Sequence, residues 1–407
     1  MALDDTASGG AAHRGSAAQV FAAFLKLGVT SFGGPIAHLG YFRHEFVTRR
    51  KWLDEASYAD IVALCQFLPG PASSQVGITI GMLRAGVSGA LAAWVGFTAP
   101  SALAMVLFGY GVTAFGDLGH AVWLHGLKIV AVAVVAQAVW GMAQNLCPDR
   151  PRITLAIGAA VLALLLPSAI GQVGVIALGA LIGWWWLTGN AGHGGTALHV
   201  PLSRHAGLAA FAIFVILLVG LPLAAGATQN HAIGLIDAFY RSGSLVFGGG
   251  HVVLPLLQQE VVPPGWISND AFLAGYGAAQ AVPGPLFTFA AYLGTTMQPV
   301  PNGWLGALIC LVAIFLPSFL LLFGALPFWN ELRKRADIQS ALRGVNAAVV
   351  GLLLAALYTP VWTSAIGGPQ DFAIAVAAFV LLVVWKVPPW LVVLFGAFAR
   401  AGIALIA

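Results

Sequence analysis

The sequence predicts an all-α polytopic membrane protein built from two inverted-topology repeats, each with broken, re-entrant helical hairpins. Three observations predict it. First, 59% of the 407 residues are apolar and only 8% are charged, against about a quarter charged in a soluble domain. A bilayer is therefore the solvent for most of the surface. Second, the chain is duplicated. Phe32-Gly33-Gly34 recurs as Phe247-Gly248-Gly249, Glu45 as Glu260 and Trp52 as Trp266. Gln66-x-x-Pro69-Gly70-Pro71 recurs as Gln280-x-x-Pro283-Gly284-Pro285, Gly89-Ala90-Leu91 as Gly306-Ala307-Leu308, and Pro100-Ser101 as Pro317-Ser318. Matches in one unbroken order define two units, 17–187 and 232–407. Third, the basic residues are segregated between alternate loops, as described below.

In chain order, residues 1–16 are polar and rich in Gly, Ala and Ser, without the apolar core of a signal peptide, and read as a disordered tail. The apolar segment 21–30 breaks at Ser31-Phe32-Gly33-Gly34-Pro35, and a more polar stretch runs to Lys51. A helix over 57–68 breaks at Pro69-Gly70-Pro71, and another covers 73–83. None reaches the roughly 20 residues needed to cross hydrocarbon. Such breaks are tolerated at membrane depth only inside protein or beside a wet cavity, so each repeat is expected to open with two hairpins that enter and leave on one side. Full spans are expected at 87–113, 121–144, 153–170 and 172–187, and in the second repeat at 304–328, 338–360, 372–386 and 389–406. The linker 188–231 combines a polar stretch, a bridging transmembrane helix over 206–222 and a short loop.

Hairpins add no net crossing. Four spans and one bridging helix therefore start the second repeat on the opposite face. That parity gathers Arg43, Arg49, Arg50, Lys51, Arg84, Arg150, Arg152, Arg204, Arg333, Lys334, Arg335 and Lys386 on one side. The loops it places opposite, 114–120, 223–231, 257–270, 298–303 and 361–371, contain no Lys or Arg. By the positive-inside rule the N-terminus is cytoplasmic and the C-terminus periplasmic.

Lys26 and Arg241 lie at matching places, each before its Phe-Gly-Gly, within short apolar helices. A cation at membrane depth costs several kcal/mol unless paired or wet. Asp237 is near Arg241, but Ala22 occupies the matching place near Lys26. Unpaired, the two cations suit an anionic ligand; the alternative is snorkelling or pairing. The helices restarting after Pro71 and Pro285 offer free N–H groups and the positive end of the helix dipole. Ser73, Ser74 and Thr288 add hydroxyl donors, and Gly33, Gly34, Gly248 and Gly249 let backbone approach a small ligand. Gln66 and Gln280 either donate to the anion or satisfy carbonyls freed by the break. Glu45 and Glu260 either pair with nearby arginines and caps or carry a coupling proton. Lys128 either lines a pore or has a structural partner. No phosphate-binding loop and no metal-spaced cluster is present, so no cofactor, metal or catalytic centre is expected, and no nucleic-acid partner.

In its glycine-rich break Phe32-Gly33-Gly34-Pro35, in the second copy of that break and in its paired Gln-x-x-Pro-Gly-Pro motifs, the chain resembles the chromate ion transporter family in its long, two-repeat form. The resemblance covers nearly everything outside the tail and the linker. It implies a bacterial inner-membrane protein that exports chromate on the membrane's ion gradients and confers chromate resistance, with sulfate as chemical mimic. The residues themselves reach only a small oxyanion, and leave open a transporter for sulfate or another small anion, an anion channel and a homodimer. Gly250 replaces Pro35 in the second copy, so its break is expected to be shaped differently.

Overall fold

The computed structural model describes residues 15–114, 122–187 and 202–406, and these are helical with no strand among them. The expected tail, apart from its last two residues, and most of the polar linker lie outside the described residues.

The first repeat runs α1 (Ala17–Thr30), α2 (Gly34–Phe42) continuing into a π-helical turn (Arg43–Arg49), α3 (Glu55–Phe67), α4 (Ala72–Ala114), α5 (Val122–Leu146), α6 (Arg150–Leu165) and α7 (Ala169–Trp186). Non-helical Ala85 and Gly86 divide α4 into two arms. After the bridging helix α8 (Arg204–Thr228) come α9 (His231–Ser244), α10 (Val253–Val261), α11 (Asn269–Ala279), α12 (Phe289–Thr296) and α13 (Gly303–Ala325). The chain ends through α14 (Trp329–Leu332), α15 (Ala336–Ala356), α16 (Thr363–Ala365), α17 (Pro369–Val383) and α18 (Pro389–Ile406). The two arms of α4 correspond to α12 and α13, and α5, α6 and α7 to α15, α17 and α18.

Local chemistry sets the helix starts. Ser16, Asp54, Ser168 and Ser203 each accept a hydrogen bond from a backbone N–H three residues on, which satisfies a donor that the first turn leaves free. Asp54 has its repeat counterpart in Ser268, which caps α11 in the same way. Close helix contact is set by small residues: a Cβ on Gly28 of α1 would lie 2.7 Å from the Gly96 carbonyl of α4, and a Cβ on Gly243 of α9 would strike the Ile314 carbonyl of α13. With little hydrophobic drive between helices in lipid, such backbone approach supplies the van der Waals contact.

The repeats interlock. The helix α5 packs on α17 and α18 of the second repeat, and α15 packs on α6 and α7 of the first. One apolar core therefore runs through both halves, from Ile129 and Leu155 to Leu257, Phe289 and Val349.

Among the described residues six helical stretches are long and apolar enough to span: Ala72–Ala114, Val122–Leu146, Ala169–Trp186, Arg204–Thr228, Gly303–Leu332 and Ala336–Ala365. The stretches 153–170 and 372–386, expected as full spans, form the shorter helices α6 and α17, of 16 and 15 residues. At 1.5 Å per residue these cover roughly 23 Å, less than the ~30 Å hydrocarbon core. In the first case the apolar run conceals a stop, because Pro167 follows Leu166 and the Ser168 hydroxyl caps the next helix.

Arg50 and Arg84 both lie 5.1 Å from the Trp52 ring. Arg333 clamps Asp60 of α3 through two hydrogen bonds of 2.8 Å, and Arg204 pairs with Glu331.

Candidate anion site at the crossed helix breaks

The four breaks cross-bond between repeats. The Gly284 N–H donates to the Ser31 carbonyl at 2.9 Å, and the Gly70 N–H donates to the Val246 carbonyl at 2.6 Å. Ser31 and Val246 are repeat equivalents, each the residue before a Phe-Gly-Gly. Both donor glycines have left-handed backbone, at φ +125° for Gly70 and +95° for Gly284. A Cβ on Gly70 would lie 2.6 Å from Ser318 Oγ, and one on Gly284 would lie 2.8 Å from Ser101 Oγ. Each contact maps onto the other when the repeats are exchanged, the signature of a two-fold relation. The equivalents Pro35 and Gly250 themselves face each other, with 3.6 Å from an ideal Gly250 Cβ to Pro35 Cγ, so the pseudo-axis passes between them. Their difference accompanies a difference in the breaks: Pro35 stands in the first turn of α2, whereas Gly250 opens a 3-10 turn, Gly250–Val252, ahead of α10.

The cross-axis hydrogen bonds are symmetric, but after Pro285 a 3-10 turn, Leu286–Thr288, precedes α12 where α4 starts directly after Pro71, and the side chains differ too. In the first turn of α4 the Ser74 hydroxyl and Gln75 Oε1 are buried without a hydrogen-bond partner, as are the hydroxyls of Ser318, beside Gly70, and of Ser31, whose carbonyl meets Gly284. Gln75 Nε2 donates to the Pro69 carbonyl at 2.7 Å. Ser73 Oγ lies 3.3 Å from His38 Nδ1, and His38 Nε2 lies 3.2 Å from the Ser31 carbonyl. A carbonyl only accepts, so Nε2 carries the proton there. At the matching break of the second repeat the equivalents of Ser74 and Ser318, Thr288 and Ser101, are used internally, while the buried Thr98 hydroxyl nearby has no partner. Thr288 donates to the Pro285 carbonyl at 2.9 Å, and Ser101, beside Gly284, donates to the Thr98 carbonyl at 3.0 Å. Phe287 and Phe289 flank Thr288 and are fully buried against Phe315, Phe272 and Tyr276.

Buried polar groups left unpaired are rare in folded proteins and cost about 1–3 kcal/mol each. The unpaired hydroxyls among them, with the N–H groups of the first turn of a long helix, make donors for a small anion. His38 and Gln75 were not singled out in the sequence, and Ser31 and Ser318 were named there only as parts of the break and the repeat match. One signal was available for His38: its repeat counterpart is Val253, so it marks a place where the halves differ.

The other expected site residues are spread more widely. Phe32 is half-buried 6.5 Å from the Trp390 ring, and Phe247 is half-buried. Gln66 is exposed, and Gln280 is half-buried with a long 3.5 Å approach to the Tyr276 carbonyl. Lys26 is exposed on α1, away from the buried Phe24, Leu27 and Gly28 face. Arg241 is not unpaired: its Nη2 donates to Asp237 at 3.0 Å and to Glu260 at 2.7 Å. Glu45 is buried and accepts from Arg49 at 2.7 Å and from Arg50 at 2.6 Å. Lys128 has a structural partner, Asp270, at 2.9 Å. Among the described residues no three His, Cys, Asp or Glu side chains cluster as metal ligands.

The family model described as chromate transporter matches residues 18–184 and 233–401, both halves of the chain. This chain belongs to the chromate transporter family. A chromate transport protein of Pseudomonas aeruginosa is 28% identical across 94% of this chain and 91% of its own length. One from Cupriavidus metallidurans is 25% identical across 93% and 92%. An uncharacterized transporter of Bacillus subtilis, YwrA, is 32% identical and aligns over 97% of its own length with 43% of this chain. YwrA thus matches about one repeat of this chain. No solved structure matches the chain.

Proposed function

We propose that this family member is a secondary transporter that exports chromate across the bacterial inner membrane, with its N-terminus cytoplasmic and its C-terminus periplasmic. The observation that carries the reading is the set of unspent buried hydroxyls at the start of α4, where the four breaks cross. A tetrahedral dianion there accepts from Ser74 and from the free N–H groups of the first turn, and Gly33 and Gly34 allow backbone to close around it. The exposed Lys26 contributes long-range attraction rather than a fixed contact. Relatives named as chromate transport proteins support the substrate. Sulfate has the same shape and charge, and a site of N–H and O–H donors separates the two poorly.

Export needs no ATP in this reading. With the inside negative, outward movement of a dianion releases about 2.3 kcal/mol per charge per 100 mV. Two charges give roughly 4.6 kcal/mol, more than a thousandfold concentration ratio. Uptake of labelled chromate into inverted vesicles tests this. Accumulation should saturate, and collapsing the potential at constant pH gradient should remove most of it. Unsaturable flux with large unitary currents would instead indicate a channel, and accumulation indifferent to the potential would contradict electrogenic export.

A further inference from the structure

The equivalent acids Glu45 and Glu260 have opposite surroundings. Glu45 accepts from two guanidiniums, Arg49 and Arg50, both on its own arm of the hairpin. Glu260 shares one guanidinium with a second acid. Arg241 Nη2 binds Asp237 Oδ2 and Glu260 Oε2, so two carboxylate oxygens converge on one nitrogen. Side-chain exposure is 10% for Asp237 and 12% for Glu260, too little for water to screen their repulsion fully. The first repeat has Ala22 in place of Asp237, so it has one acid and two arginines where the second has two acids and one arginine.

The neighbouring elements supply no further balance among the described residues. The helices α7 and α13 contain no charged side chain. At the start of α8, Arg204 is taken by Glu331 and His205 is exposed, and Asp270 of α11 is taken by Lys128. On α15, Asp337 is held by Arg335 and Arg343 acts on Asp149. His231 at the start of α9 lies edge-on to Trp266, and His251, ahead of α10, bonds Tyr276. Two like charges against one cation cannot both ionise freely, and one of them keeps a proton.

The cluster also spans a hinge. Asp237 and Arg241 lie on α9 and Glu260 on α10, the two arms that flank the Phe247-Gly248-Gly249 break. Val246, at the root of that break, holds the Gly70 N–H two residues before α4. We propose that Asp237 and Glu260 together carry one exchangeable proton, and that this proton sets how tightly Arg241 clamps the two arms whose break supports the anion site. With both acids ionised, Arg241 ties α9 to α10. A proton arriving on a carboxylate oxygen frees the guanidinium from that acid, and the slack reaches Gly70 through the Val246 carbonyl. Entry of the proton from outside as the anion leaves makes export proton-coupled as well as potential-driven. The first repeat has no such clamp, because Glu45 is held within its own arm.

This inference rests on the transport reading, and proteoliposomes containing a pH-sensitive dye separate the two. At fixed potential, the steady-state chromate ratio of the wild type should change about tenfold per unit of pH gradient for one coupled proton. Glu260→Gln and Asp237→Asn should each lose that dependence and the chromate-driven proton movement, while potential-driven flux continues. Each leaves one acid opposite Arg241, so both should insert; should neither, the wild-type proton movement alone decides. Glu45→Gln should retain the gradient dependence. Comparison with Glu260→Gln removes the protons that chromate itself takes up or releases. Chromate flux without proton movement in the wild type, or unchanged gradient dependence in both variants, overturns the inference alone. A wild type that moves no chromate overturns the transport reading and the inference with it.

Discussion

The Pro69-Gly70-Pro71 and Pro283-Gly284-Pro285 breaks share a cross-axis backbone hydrogen bond and differ in what they leave undone. Each glycine donates across the pseudo-axis to the carbonyl before the other repeat's Phe-Gly-Gly. At the first break, the hydroxyls of Ser74 and Ser318 have no partner. At the second, Thr288 and Ser101 are bonded to nearby carbonyls and aromatic rings fill the remaining space. On two equivalent cross-axis contacts, the side chains leave Ser74 and Ser318 unpaired at one break and bond Thr288 and Ser101 at the other. The charge clusters divide the other way: the excess acid lies in the second repeat, on Asp237 and Glu260.

Several substitutions can break or sharpen that contrast. The largest effect should come from the shared backbone. Gly70→Ala and Gly284→Ala should both abolish transport, because each forces a side chain into left-handed backbone, at about 1–3 kcal/mol, and against a serine hydroxyl across the axis. Flux assays with thermal unfolding in detergent would check this; a tolerated Gly284→Ala would show that the two breaks are not equally constrained. Next, Asp60→Ala removes an acid that joins the repeats through Arg333, with both side chains 10% exposed. A loss of about 3 kcal/mol in stability is expected, read as a lower unfolding midpoint. The smallest effect belongs to Arg43→Ala. Its pair with Glu55 is exposed on both sides, and such pairs contribute little, so flux and melting should match the wild type.

Much of this arrangement was legible in the sequence. The duplicated motifs located all four breaks, and the helix expected over 57–68 became α3, Glu55–Phe67, because glycine and proline act locally. Two features were not legible. Which carbonyl each Pro-Gly-Pro glycine would meet depends on the crossing of the repeats, and Val246 carries no marker for it. The pairing of Arg241 was half visible: Asp237 lies one helical turn away, but Glu260 arrives only when the hairpin folds back. Lengths failed where composition masks a stop, as at Leu166-Pro167-Ser168, since an apolar run looks the same whether or not a cap divides it. His38 escaped because a lone histidine carries no motif; its partners, Ser31 and Ser73, come from the preceding break and from the start of α4.

The central claim is that the oxyanion binds at the first break and not at its repeat counterpart. The most direct test is the chromate KM of Ser74→Ala measured beside that of Thr288→Ala, in vesicles with matched insertion. A lost charge-assisted hydrogen bond is worth about 1.5–3 kcal/mol, so Ser74→Ala should raise KM by at least about tenfold. Thr288→Ala, which removes a hydroxyl already bonded to Pro285, should leave KM within about twofold, since no ligand contact is lost. Equal effects at the two positions, or a larger one at Thr288, would contradict the account.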